Sequence, residues 1–240
     1  MNSNSNISIV EGVSTERTPM SSQRKTSLVA GVLYLLTFVS IPTLSLYSSI
    51  HEANYILGHG SDNAVIIGTI LEIIVALAGI GTAVALYPVL KKQNEGAALG
   101  LVSSRILEAG TIFAGVAFLL TDVTLRQTGA GADALVTSHT LVAMYDRMFL
   151  IGQSFLPAVN DLLLGFLLYK SRLVPRSLSL IGLIGGVLLI TGDIFVMFGY
   201  IGQHDPSTSL FAVPVALFEL SLGVYLVVKG FKPSAPINQL

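Results

Sequence analysis

Six apolar runs, each long enough to cross a lipid bilayer, follow one another between residues 27 and 228. They occupy residues 27–50, 64–90, 97–120, 148–169, 177–200 and 209–228, and about 20 residues of helix suffice to cross about 30 Å of hydrocarbon. The runs are continuous rather than alternating, so they read as helices and not as strands of a closed barrel, the other structure that satisfies its backbone in lipid. The expected fold is therefore all-α: a polytopic six-helix transmembrane bundle over residues 27–231. A polar segment rich in Asn and Ser, residues 1–26, precedes it as a disordered tail, and residues 232–240 form a second tail. With 52% apolar and 11% charged residues, the chain has too little polar surface for a water-soluble globule. The first run exceeds a signal-peptide core and has no small-residue cleavage site, so it reads as a retained span. Residues 133–147 have helical periodicity and form either an interfacial helix or an extension of the fourth span. Pro42, Pro157 and Pro214 fall inside runs, where each removes a backbone bond and kinks its helix.

The basic residues give the ladder a direction. Ten of the thirteen Lys and Arg residues lie on one side: Arg17, Arg24 and Lys25, then Lys91 and Lys92, then Lys170, Arg172 and Arg176, then Lys229 and Lys232. Short loops that stay in the cytoplasm hold positive charge, so both termini are expected there. Of the three exceptions, Arg126 belongs to an opposite-side loop, whereas Arg105 and Arg147 lie within or at the edge of the bilayer.

Polar groups inside the spans are where chemistry is to be sought. Glu72, Glu108, Asp161, Asp193 and Glu219 place one carboxylate in each of spans two to six, and Arg105 joins Glu108 in the third. Charged side chains cost about 2.5–3.5 kcal/mol at a helix centre on insertion scales, so they should face the bundle interior and find partners. At 100° per residue, Glu72 shares a face with Gly68, Ala76 and Gly79, Asp193 with Gly182 and Gly186, and Glu219 with Ala212 and Gly223. Small residues are where membrane helices approach closely. In the fourth span Arg147, Ser154, Ala158 and Asp161 line one face, and Asp146, Gln153 and Asn160 an adjacent one. Arg105 and Glu108 have the i,i+3 spacing of an ion pair. A rise of about 1.5 Å per residue puts Arg105 and Asp161 at one depth, which makes them candidates to meet. Glu108 and Glu219 come nearest the midplane. Six acidic groups, counting Asp146, face only Arg105 and Arg147, so one or two should hold a proton. The candidate cluster is thus Glu72, Arg105, Glu108, Arg147, Asn160, Asp161, Asp193 and Glu219.

All four histidines, His51, His59, His139 and His204, map to the opposite-side loops or their margins. Together with Glu52, Asp62 and Asp205 they are the candidates for a metal or pH-sensing site, although no spacing matches a metal motif. Absence of Cys removes thiolate nucleophiles and Cys-held metals. There is no His-Glu-x-x-His, no Gly-x-Ser-x-Gly and no span His to activate Ser103 or Ser104. Nothing therefore argues for catalysis or a cofactor. The basic residues are juxtamembrane anchors rather than a nucleic-acid patch, which leaves the lipid bilayer as the partner. Homo-oligomerisation is not indicated.

Several stretches resemble a known family. Residues 81–96 (GTAVALYPVLKKQNEG), residues 105–109 (RILEA) and the junction LYKSRLVPR at 168–176, leading into Gly182-Leu-Ile-Gly185, are similar to the bacterial membrane family called domain of unknown function 4386. The resemblance runs from about residue 24 to 231. It implies a six-helix protein of the bacterial cytoplasmic membrane, assigns no substrate or catalytic residue, and draws attention to Arg105, Glu108 and Asn160. Two functional readings follow. One is binding or carriage of a small solute, lipid or proton through the polar interior; the other is an accessory or sensor protein whose buried charges fix helix packing.

Overall fold

The computed structural model describes residues 20–233 and residue 235. Arg17 and most of both polar tails lie outside the described residues. The described chain is helical, with six helices long and apolar enough to cross a membrane and no strand among the described residues. We number the α-helices α1 (Ser22–Thr37), α2 (Thr43–Leu46), α3 (Asp62–Leu90), α4 (Glu95–Gln127), α5 (Leu135–Phe149), α6 (Leu156–Ser171), α7 (Arg176–Met197) and α8 (Pro206–Val228).

Polar caps mark the helix starts. Ser21, Ser61 and Asn94 each accept a hydrogen bond from the backbone three residues on, and Pro206 opens α8 at its first turn. Helix α6 ends at Arg172, which adopts a left-handed conformation at φ 57°. Leu173 and Val174 of the Leu-Val-Pro-Arg junction then turn into the core, both fully buried. That junction is therefore a plug as well as a loop.

Two spans depart from regular α-helix. The first run is not one helix to residue 50: α1 gives way to a 3-10 turn at Phe38–Ser40, Pro42 begins the single turn of α2, and residues 47–54 are turns. The fourth span is one continuous 41-residue helix, Gly131–Ser171, so residues 133–147 extend it. Its middle, Leu150–Phe155, is a π-turn. Pro157 follows directly, and because it has no N–H, the Gln153 carbonyl loses its α-helical donor and the ladder widens there.

The spans pack in chain order into a closed ring: α1 against α3, α3 against α4, α4 against α5 and α6, α6 against α7, α7 against α8, and α8 back against α1. At the basic end the ring is filled by an apolar core that includes Tyr34, Leu90, Leu101, Leu168, Phe218 and Leu222. Arg24 donates to the Leu226 carbonyl at 2.9 Å, and Leu173 accepts from the Lys232 amide at 2.8 Å, which ties the basic junctions together. Large apolar side chains such as Ile184 and Val187, each at 58% exposure, cover the outside, as expected where the solvent is lipid rather than water.

Candidate functional site

Above that core the ring is not filled. A cavity of about 870 Å³ occupies the other half of the bundle and takes residues from all six spans. None of its lining side chains belongs to the apolar core at the basic end. The broken first span supplies Thr37, Ser40, Thr43 and Leu44, and α8 supplies Ala212, Ala216 and Glu219.

The floor is an ion cluster around Arg105. One guanidinium nitrogen donates to both Glu108 oxygens, at 3.1 and 3.0 Å, while the other donates to Glu219 Oε1 at 2.8 Å and to the Tyr34 hydroxyl at 3.2 Å. Asn160 Nδ2 adds a bond of 2.6 Å to Glu108 Oε2. Arginine suits this position, because its planar fork meets two carboxylates at once. The side chain is 3% exposed, Glu108 8% and Glu219 15%, so Glu219 is the more open of the two paired carboxylates. Gly79 lies against the Arg105 side chain and leaves it room.

Asp161 does not take up the pairing that depth alone suggests. It is fully buried, and neither oxygen accepts a hydrogen bond. Arg105 turns instead toward α1 and α8, because azimuth around the helix as well as depth decides which groups meet.

Within the spans another pattern repeats, in which a carboxylate faces a neutral donor. Glu72 accepts from the Tyr145 hydroxyl at 2.6 Å and from Gln153 at 3.1 Å. Asp193 accepts from Ser154 at 2.6 Å, and its other oxygen has no donor. Asp122, buried in the extension of α4 beyond the expected end of the third span, accepts from Ser138 at 2.9 Å. Sequence reasoning missed Asp122, Tyr34 and Tyr145. For Tyr34 a signal existed, since Ser27, Ala30, Gly31 and Tyr34 make one small-residue stripe that is entirely buried.

Arg147 lies outside this arrangement. It is exposed and makes no hydrogen bond or ion pair among the described residues. The π-turn explains why: its extra residue rotates the two halves of the helix by roughly 100° relative to each other, so Arg147 leaves the face of Ser154 and Asp161.

At the mouth the structure brings two of the four histidines together. His51 Nε2 is 3.0 Å and His204 Nε2 3.6 Å from Asp146 Oδ1, and the two rings are 5.4 Å apart. The hydrogen bond to Asp146 holds the His51 pKa above its ordinary value, against burial, which pulls it down. His139 instead meets the Ala53 carbonyl, and His59 lies in a loop whose carbonyls, from Gly58 to Gly60, accept from Arg126 at 2.8 to 3.0 Å. Arg126 also pairs with Asp62 at 3.2 Å. Arg126, the exception to the one-sided ladder expected in an opposite-side loop, is thus the clamp of that end. Asp62 and Asp205 are engaged elsewhere, Asp62 by Tyr55 and Asp205 by the Gly202 amide.

A family model for a domain of unknown function (DUF4386) matches residues 29–230, from the first span to the end of the last. The chain belongs to the DUF4386 family. In this DUF4386 chain the matched region contains the Arg105 cluster, the mouth and all of the ring except the start of α1. No curated protein and no solved structure matches the chain.

Proposed function

We propose that this DUF4386 protein resides in the bacterial cytoplasmic membrane and binds a small solute with a cationic head and an apolar body, admitted from the histidine-bearing end. The carrying observation is the sign of the cavity wall. Glu108, Asp146, Asp193 and Glu219 line it, against Arg105 as the one Lys or Arg. Glu108 is spent on Arg105 and Asn160, but Glu219 has one oxygen outside the ion pair and Asp193 one oxygen without a donor. An ammonium group reaching Glu219 would supply what the wall lacks, with Ile41, Phe149, Leu150 and Val215 around its apolar part. The volume falls within the roughly 300–1,000 Å³ typical of small-molecule sites. The one-sided Lys and Arg ladder supports a topology with the basic end and both termini in the cytoplasm, which turns the mouth outward.

The test is a thermal-shift series on purified protein with primary alkylamines and tetraethylammonium, using alkyl carboxylates of matched length as controls. Amines should raise the melting temperature of the wild type and do so less in Glu219→Gln; equal responses to amines and carboxylates would reject the reading.

A second reading rests on Arg105 itself. Its partners Tyr34, Glu108 and Glu219, with Asn160 beyond, belong to α1, α4, α8 and α6, which makes the cluster a clasp for four spans of a non-transporting accessory or sensor protein. In that case Glu219→Gln lowers the melting temperature and no amine shifts it in either protein.

A further inference from the structure

We infer that His51, Asp146 and His204 form a binding site for a divalent transition-metal ion of the zinc class at the mouth of the cavity. The three donors come from segments far apart in the chain: the turns after α2, the helix α5, and the turn before α8. Their ligand atoms all lie within 4.8 Å of one another.

The tautomer of His51 is fixed by its other nitrogen. Nδ1 lies 2.8 Å from the Tyr47 carbonyl, which can only accept, so Nδ1 carries a hydrogen. In the neutral ring Nε2 then presents a lone pair, and it points at the Asp146 carboxylate 3.0 Å away. Two lone pairs at that distance repel, so the pair holds a cation between them, either the proton of a His51 imidazolium or a metal ion. An imidazole whose second nitrogen donates to a backbone carbonyl is also the usual posture of a metal-bound histidine.

The spacing agrees. Bonds of about 2.0–2.1 Å in a tetrahedral site set donors roughly 3.3 Å apart, and Asp146 Oδ1 is 3.0 and 3.6 Å from the two imidazoles. His204 sits on a turn held by Gly202 and Asp205, whose backbone bond of 3.1 Å is reinforced by Thr208. Gln203 beside it donates to the Asp146 carbonyl at 2.8 Å, which docks that turn onto α5. Two imidazoles and one carboxylate favour zinc, nickel or copper over magnesium and calcium, which prefer oxygen alone. Three protein ligands leave a fourth position, and because all three residues line the cavity, that position lies in its mouth. The ion would bridge the first span to the turn between α7 and α8. This inference holds whichever solute the cavity takes.

The test is isothermal titration of tag-free, chelator-stripped protein with zinc chloride, with magnesium chloride as control. One equivalent of zinc should bind at micromolar or tighter affinity, with no magnesium heat in the same range. His204→Ala, on an exposed turn where folding is not at stake, should weaken zinc by at least about tenfold, Asp146→Asn should weaken it too, and His59→Ala and His139→Ala should leave it unchanged. No zinc binding by the wild type, or binding untouched by His204→Ala and Asp146→Asn, overturns the assignment and leaves the trio as an ordinary histidine–carboxylate contact.

Discussion

The Arg105 guanidinium stands between Glu108 and Glu219, 3.0 Å from one carboxylate and 2.8 Å from the other, and so joins α4 to α8 beneath the cavity. Removing the cation leaves two buried carboxylates facing each other. Breaking a buried pair by deleting one partner typically costs about 3–5 kcal/mol. Arg105→Leu should therefore lower the melting temperature steeply or abolish folded protein in detergent. Arg105→Lys, which keeps the charge but not the fork, should fall between. Equal melting temperatures for Arg105→Leu and wild type would refute the clasp.

Glu72 depends on a phenol. Tyr145→Phe removes the 2.6 Å donor and leaves Glu72 with Gln153 alone. An unsatisfied buried acceptor costs about 1–3 kcal/mol, so Tyr145→Phe should destabilise the wild type. In a Glu72→Leu background, where no carboxylate needs the donor, the same change should cost much less, and a double-mutant cycle on thermal unfolding reads the difference.

Two glycines separate helix packing from lipid exposure. A Cβ at Gly186 would stand 2.8 Å from the Ala158 carbonyl, whereas one at Gly110 would meet nothing within 4 Å. Gly186→Leu should prevent α7 from seating against α6 and reduce folded yield, while Gly110→Leu should be silent. Size-exclusion profiles of the two variants decide it, and similar profiles would mean that α6 and α7 do not approach as closely as described.

The absence of Cys makes the orientation directly testable. In intact cells a membrane-impermeant maleimide should label His59→Cys and not Lys92→Cys. The reverse pattern would invert the proposed topology.

Much of the fold was legible because lipid leaves few choices. The long apolar runs gave six spans, and the basic junctions gather at one end of the ring. Helix ends were less legible, because Pro42 broke the first span and Asp122 carried the third onward. Of the site, the carboxylates stood out as expensive residues on small-residue faces. Their partners did not, because Tyr34 and Tyr145 read as apolar until a neighbouring helix shows where their hydroxyls point. Arg147 misled for a different reason: a π-turn shifts phase, and nothing short of the Pro157 signal warns of it. The mouth was legible only in part: His51 and His204 stood among the candidate loop histidines, but which two meet, and that Asp146 joins them, shows only when the ring closes.

The central claim is a water-accessible, cation-preferring cavity that reaches Glu219 from the histidine-bearing end. Ala216 lines it one turn above Glu219, whereas Leu217 faces outward at 54% exposure. The most direct measurement is the rate at which Ala216→Cys reacts with methanethiosulfonate reagents of opposite charge, added to cells. The expected result is faster reaction with the cationic reagent than with the anionic one, a preference reduced by Glu219→Gln, and little reaction of Leu217→Cys with either. An unreactive Ala216→Cys, or one with no preference of charge, would contradict it.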